Sequence, residues 1–475
     1  MVRSQFTSRA LLALVITAIP ISACGDEDHF SPLPRRQSAA GNNTAVGGGP
    51  TTSSPHLTTV SEHVDSLAEE LWPISTEIHE NPELGYQEVR AHDLLTAYVA
   101  SKPGWEVTRS AFGLDTAFVA VFDGGHGGGP VVSFNAEYDA LQGLGHGCGH
   151  NLIAAASVAG ALAAAEVMRR EALPGRVVLF GTPAEESLGG KVRMLEAGAF
   201  SQHDVDISIM AHPGPGGDAT DAAYTFAMAT DRFDVEYHGR PAHAAASPWL
   251  GVNAQDAIAL AYSALGLMRQ QSRPADRVHG RIATADGAVN IIPDSAAAVF
   301  QVRSDTTENL APLIERFEKA MEAGAVGTGA TMNLTMRPHG YSDMVNNDVL
   351  TRHYREWFDG SIPSADEEKL NGPSGSTDQG NVSHEFPALH ASFGIFGEDG
   401  EPATASLHSE GFREAAKTRK SFDKALKAAK ALAGTAVDVL TVEGLLDEVK
   451  KEFEQSTNKE VARRLAKLRR RMIKQ

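Results

Sequence analysis

Cysteine is scarce in this chain: two occur in 475 residues, Cys24 and Cys148. That excludes a small scaffold stapled by several disulfides. Basic charge is also short, with 42 Lys and Arg against 60 Asp and Glu and a formal net charge of −18. The main body forms no basic stripe of the kind that phosphate neutralisation needs, so nucleic acid is not an expected partner. Long apolar runs are few, yet 42 % of the residues are hydrophobic. Such a chain can bury a sizeable core in two or three domains without staples, and small-molecule chemistry is the expectation that remains.

The N-terminal stretch carries Arg3 and Arg9 ahead of apolar residues 10–22. It is too short to span a bilayer and has the shape of a signal peptide. Its end, "ISAC", resembles a bacterial lipobox, in which the cysteine, here Cys24, is lipidated. Residues 1–24 are therefore set aside as an export signal of lipoprotein type, with a plain secretory signal as the alternative. The protein is expected to be exported, as a secreted or periplasmic protein or one held on a membrane through its N-terminal lipid alone. If Cys24 carries lipid, Cys148 lacks an intramolecular partner and needs another reason to be kept. Residues 25–57, rich in Ser, Thr, Pro and Gly, read as a flexible linker. Order should begin in "LTTVSEHVDSLAEELW", where apolar residues recur at helical spacing up to Asn81 and Pro82.

Short β-branched or apolar runs follow, "PVVSFNA", "RVVLF" and "DISIMA", separated by helical segments such as "NLIAAASVAGALAAAEVMRR". This alternation predicts an α/β catalytic domain, a mostly parallel sheet flanked by helices, in two parts at 58–229 and 341–445. Between 230 and 340 the rhythm becomes β-α-β-β-α-β, the order of a ferredoxin-like module inserted as a lid or dimerisation domain. Residues 446–475 form a basic helical tail. Its last segment places Val461, Leu465, Leu468 and Met472 on one stripe amid eight basic residues. That stripe reads as helix packing on the domain with Arg and Lys stems outward; lying on an anionic surface is the alternative.

Each of the three apolar runs is followed by residue types that can ligate metals: "NAEYDALQGLGHGCGHN", "GTPAEES" and "MAHPG". Sites in open α/β sheets form at the carboxyl ends of strands, so these loops can converge. Singly, each has a bland alternative. Cys148 can be a buried apolar residue, Glu185 and Glu186 a solvated pair opening a helix, and His212 a hydrogen-bonded loop histidine. Together with His408 in "SLHSEGF" they suit a two-metal hydrolytic site, which needs several donors plus one group left free to take a proton from the attacking water. Adjacent glutamates can divide those tasks, and a thiolate suits a zinc-type ion.

"HGCGHN", "GTPAEE", "AHPG", "GRPAHAAASPWLGVNA", "NIIPD", "GSTDQGNVS" and "SLHSEGF" occur in the order seen in the aminoacylase/carboxypeptidase superfamily of two-metal amidohydrolases. The chain resembles that superfamily over roughly residues 60–450, and most of all its branch with aminobenzoyl-glutamate hydrolase and β-alanyl-lysine dipeptidase. The resemblance implies two divalent ions, Zn2+ or Mn2+, held by Cys148, His150, Glu186, His212 and His408, with Glu185 as general base. Asp139 becomes a carboxylate that orients a ligand. Glu137 departs from the His-x-Asp pair of other branches and is left open, and His146 is given a structural role. From the inserted module, His243 and Asn290 are expected to hold the scissile carbonyl and substrate, often in the neighbouring subunit's site, which implies a homodimer. Arg303 is a candidate for a substrate carboxylate, its alternative being a solvent-facing strand arginine. The implied activity is cleavage of the amide or peptide bond of a small N-acyl amino acid or dipeptide-like substrate. Two other readings stand beside it: an N-acyl amino acid deacylase, and a catalytically silent binding or scaffold protein that keeps the fold.

Overall fold

The structure is a computed structural model that describes residues 54–473 apart from 126, 285–286, 359–361, 364–374 and 458. The expected signal segment, with Cys24, lies outside these residues. His56, assigned to the linker on composition, is instead buried and pairs with Glu171 at 2.8 Å, one residue before the helix Leu57–Glu80 begins.

Among the described residues, ten strands form two sheets. The first has the order β1-β2-β4-β3-β5-β10, made of Trp105–Arg109, Phe118–Asp123, Arg176–Thr182, Val131–Glu137, Ile207–Gly214 and Ala388–Gly394. Pairings among β4, β3, β5 and β10 are parallel, whereas β1 and β2 add antiparallel strands at one edge. All seven residues of β3 are buried. A central strand covered by helices on both faces shows no in-out alternation, which is why its sequence reads as one apolar run. The main cover is the Ala-rich helix His150–Glu171, which packs against the helices Arg419–Thr441 and Leu57–Glu80. Its small side chains let backbone elements approach closely. Of the described helices it alone is long and apolar enough to cross a membrane, and here it is a core helix with nearly every residue buried.

After β5 the chain builds the second sheet, of order β7-β8-β6-β9, from Arg277–Thr284, Ser295–Ser304, Ala229–His238 and Thr331–Met336. All its pairings are antiparallel, and the helices Ala254–Met268 and Thr307–Thr328 pack on one face. The element order is the expected β-α-β-β-α-β. The chain then returns to lay β10 beside β5, so a mainly parallel α/β body carries a ferredoxin-like insert. On the insert's strands the alternation is clean: Phe233, Val235, Phe300 and Val302 face the helices, and Thr230, Arg232, Gln301 and Arg303 share the opposite face.

The basic tail comprises the helices Leu445–Ser456 and Lys459–Ile473. The last one packs on the insert, against the helix Thr307–Thr328 and β9, and buries Leu465, Leu468 and Met472 in the insert's core. Its apolar stripe is consumed by tertiary packing, which is the simpler of the two readings its sequence allowed.

Candidate active site

The carboxyl ends of β4, β3 and β5 are neighbours in the sheet, and three motif loops meet there. Gly149 opens the helix His150–Glu171 at φ 76°, where a Cβ would lie 2.7 Å from the Pro213 ring. Only glycine allows that turn, which aims Cys148 and His150 at His212 on β5. Cys148 Sγ lies 3.5 Å from His212 Nε2. On the far side, Ala184 adopts φ 59° and the short helix Glu185–Leu188 starts immediately after it. A non-glycine residue in the left-handed region is backbone strain that surrounding contacts must hold. Here the holding group is Glu88, whose Oε1 accepts from Ala184 N–H at 2.8 Å while Oε2 accepts from the Thr116 hydroxyl at 2.8 Å. Burial, assisted by the nearby Asp139 charge, pushes the Glu88 carboxyl up to about 7.

Two donor groups overlap. Cys148, His150 and His212 have ligand atoms within 4.8 Å of one another, and so do Cys148, Glu186 and His408. Cys148 belongs to both. A third cluster joins Glu137, His150 and Glu185. The tautomers suit ligation. His150 Nδ1–H donates to Asp139 Oδ1 at 3.0 Å and His212 Nδ1–H to the Pro213 carbonyl at 2.7 Å, so both rings turn Nε2 toward the centre. Asp139 also accepts from Glu186 N–H at 2.8 Å, tying the glutamate loop to the histidine it orients.

The arrangement fits cations on internal grounds. His150 Nε2, Glu137 Oε2 and Glu186 Oε1 are buried without hydrogen-bond partners, and the first lies 3.6 and 4.0 Å from the other two. Orphaned donors and acceptors of this kind are costly unless something else fills the gap. Burial pushes the Cys148 thiol well above its ordinary range, so a thiolate there requires an adjacent positive charge. Burial also lowers the His212 ring to about 4, leaving it neutral. Glu185, 6 % exposed, is raised well above the carboxylate range by burial and then by the charges of Glu137, Glu186 and Asp378.

Four residues of the site carried no signal recognisable in the sequence. Lys191, fully buried, donates to Glu137 Oε1 and Asp378 Oδ1, each at 2.6 Å. Burial opposes the Glu137 charge, but Lys191 and then His150 outweigh it and hold the carboxyl below its usual range. Glu137 thus has one oxygen neutralised and one turned to His150. Tyr341 donates its hydroxyl hydrogen to the Glu185 carbonyl and accepts from Gly189 N–H at 3.1 Å, bracketing the glutamate turn. Arg232 lines the same cavity as the donors and stands near Arg303. Asp378 falls in the "GSTDQGNVS" motif, to which the resemblance assigned no site residue.

The cavity at the donors has a volume of about 550 Å3, and its lining includes Cys148, Glu186 and His212 together with Arg232 and Arg303. Arg303 Nη1 donates to the Ser376 hydroxyl at 2.9 Å, so it faces the cavity from the insert's sheet and is not a solvent-facing residue. His243 and Asn290 lie together, Ala244 N–H donating to the Asn290 carbonyl at 2.9 Å, but both are exposed and neither lines this cavity. Within one chain they are not brought to the donors. His146 is buried near His79, outside the donor groups, with burial and then the neighbouring His150 and His79 rings lowering its ring to about 3.

The sequence profile of Peptidase family M20/M25/M40 matches residues 131–434. The Xaa-Arg dipeptidase of Mus musculus is 41 % identical over 404 residues, covering 83 % of this chain and 91 % of the relative. A p-aminobenzoyl-glutamate hydrolase chain of Escherichia coli is 26 % identical over 470 residues, covering 84 % and 95 %. Among solved structures, a Bacillus subtilis protein described as a dinuclear metal binding peptidase of the M20 family superposes with a TM-score of 0.58 at 22 % identity, covering 79 % of this chain and 99 % of that one. At that identity the likeness shows the fold. With the donors converging at the strand ends, and with relatives matched over most of both lengths, the chain belongs to Peptidase family M20/M25/M40 and is a metal-dependent hydrolase of amide or peptide bonds.

Proposed function

We propose that the protein is a two-metal dipeptidase or acyl-amino-acid hydrolase acting on small substrates with a free carboxylate on the departing amino acid. The observation that carries this reading is Cys148, which belongs to two donor groups at once and so suits a ligand shared between neighbouring ions. Two divalent ions, Zn2+ or Mn2+, would be held by Cys148, His150, Glu186, His212 and His408, and would supply Lewis acidity to the scissile carbonyl and acidify a water. Asp139 keeps His150 in the ligating tautomer. Glu185, held by Tyr341 beside the donors, takes the proton from the attacking water and returns it to the departing amine.

Arg232 and Arg303 form a cationic part of the cavity lining; Arg303 is offered to the substrate carboxylate. Burial and the neighbouring Arg232 both work against the Arg303 charge, a cost that a bound anion relieves. The mouse relative is named for Xaa-Arg dipeptides and the E. coli relative for p-aminobenzoyl-glutamate. Against two arginines, an acidic departing residue is favoured over a basic one. The test is a panel on metal-replete protein: Xaa-Arg, Xaa-Lys and Xaa-Glu dipeptides, aminobenzoyl-glutamate and N-acetyl amino acids, each as free acid and as C-terminal amide. Amidation should lower kcat/KM by about tenfold or more, on the scale of a charge-assisted hydrogen bond. Equal turnover of acid and amide removes the arginine wall from substrate binding, and best turnover of N-acetyl amino acids makes the protein a deacylase.

A homodimer with shared sites completes the proposal. The segments carrying His243 and Asn290 also expose Trp249 (76 %), Leu250 (56 %), Val289 (101 %) and Ile291 (49 %). Large apolar groups gathered on exposed segments mark interaction surfaces, and a second copy seated there would bring His243 and Asn290 to its own cavity. Mixing inactive Glu185→Ala with inactive His243→Ala subunits should then restore part of the activity, whereas verified heterodimers without recovery would show that each chain completes its own site. Export, with Cys24 as the lipid anchor and no other membrane contact, is proposed on the sequence of residues 1–24 alone.

A further inference from the structure

The chain passes twice between the α/β body and the insert, at the start of β6 and at Tyr341. The two crossings pair with each other: Thr230 N–H donates to the Tyr341 carbonyl at 2.9 Å, and Tyr341 N–H to the Thr230 carbonyl at 2.9 Å. Beside this pair lies Arg469, from the last helix of the chain. Its Nε is 3.0 and 3.1 Å from the two Asp231 carboxylate oxygens, and its Nη2 donates to the Tyr341 carbonyl at 3.1 Å. One planar guanidinium therefore binds both crossings, a fork that a lysine cannot reproduce. Asp231 is almost fully buried, so its charge depends on this partner. At Gly340 a Cβ would sit 1.7 Å from Asp231 Oδ1 and 2.7 Å from Arg469 Nη2, so the approach of the three groups requires glycine there.

The same Tyr341 reaches the active site. Its backbone carbonyl is held by Arg469, and its hydroxyl holds the Glu185 carbonyl and Gly189 N–H. We propose that Arg469 is a positioning residue for catalysis: from the C-terminal helix it clamps the hinge at Asp231 and Tyr341 and, through the Tyr341 side chain, fixes the turn that carries Glu185. The helix is anchored for this role by Leu465, Leu468 and Met472 in the insert's core and by Arg471, which pairs with Glu318 at 2.7 Å. The inference rests on Glu185 being the proton carrier.

A merely structural role and a positioning role separate in a mutant cycle, which supplies the coupling evidence such a connection needs. Arg469→Met strands the Asp231 charge and should lower Tm as well as kcat. Asp231→Asn in the same chain removes the stranded charge, so Tm should return toward that of the parent. If Arg469 positions Tyr341, kcat of this double variant stays down by about tenfold, with KM within about twofold and metal content unchanged. Tyr341→Phe should show a similar loss, and Arg469→Met combined with Tyr341→Phe should lose little more than either alone. Parental kcat in the Asp231→Asn/Arg469→Met protein, or losses at 341 and 469 that multiply, overturns the proposal. Should the Met variants fail to fold, Arg469→Lys keeps the charge without the fork; a severalfold fall in kcat at near-parental Tm supports the clamp, and parental kcat overturns it. Full activity of Glu185→Gln would instead mean that the reading of Glu185 has failed, whatever the Arg469 variants do.

Discussion

Glu185→Gln is expected to lower kcat by about 10²- to 10⁴-fold, the usual range for a general acid–base group, while the protein keeps its metal. Glu186 lies with Cys148 and His408 in one donor group, His408 Nε2 being 3.3 Å from Glu186 Oε1. Glu185 is in neither group that contains Cys148. His150 Nε2 lies 3.9 Å from its Oε2, and burial, then the charges of Glu137, Glu186 and Asp378, raise its carboxyl well above the usual range. A group that must accept and return one proton gains from such surroundings, whereas a ligand must stay charged. Gln preserves the shape of the turn, and its Tyr341 bracket is made by the Glu185 backbone, so the fold should be unaffected. Metal content by elemental analysis, read beside kcat, decides the matter. Loss of metal together with activity would place Glu185 among the ligands, in the cluster with Glu137 and His150, and give Glu186 the proton.

Cys148→Ala is expected to weaken both metal positions at once. Removing a ligand that serves a single ion lowers stoichiometry by about one, but a sulfur common to two donor groups supports both, so about two ions per chain should be lost at metal concentrations that saturate the parent. Thiol reagents should label the metal-free parent faster than the metal-loaded one, since the ions shield the thiolate they create. Loss of one ion only would assign Cys148 to one group, and equal labelling of both forms would remove it from the site. The variant deletes a small buried side chain from a segment fixed by backbone contacts, including His408 N–H to the Gly147 carbonyl at 2.9 Å. Its stability cost should therefore be modest beside its effect on metal.

Much of this protein was determined by its sequence alone, for a local reason. Strand period, helix period and the residues directly following a strand are all set within about ten positions. The α/β body, the β-α-β-β-α-β insert and the donors at the ends of β3, β4 and β5 were therefore legible before any coordinates. What the tertiary structure decided involves partners that no short window contains. That Cys148 faces two donor groups depends on β3 and β5 being neighbours. Glu137, left open by its motif, receives its role from Lys191, 54 positions away, and Lys191 in turn from Asp378, 187 positions away. His243 and Asn290 carry the right residue types, yet the fold keeps them outside the cavity of their own chain. Arg469 reads as one more base in a polar tail until the helix is seated against Asp231, 238 positions earlier. For Cys148, Glu137 and Arg469 the physical reason is common: burial makes an ionisable group costly unless a partner meets it. Which partner does so follows from packing of distant elements, while the residue types themselves are written locally.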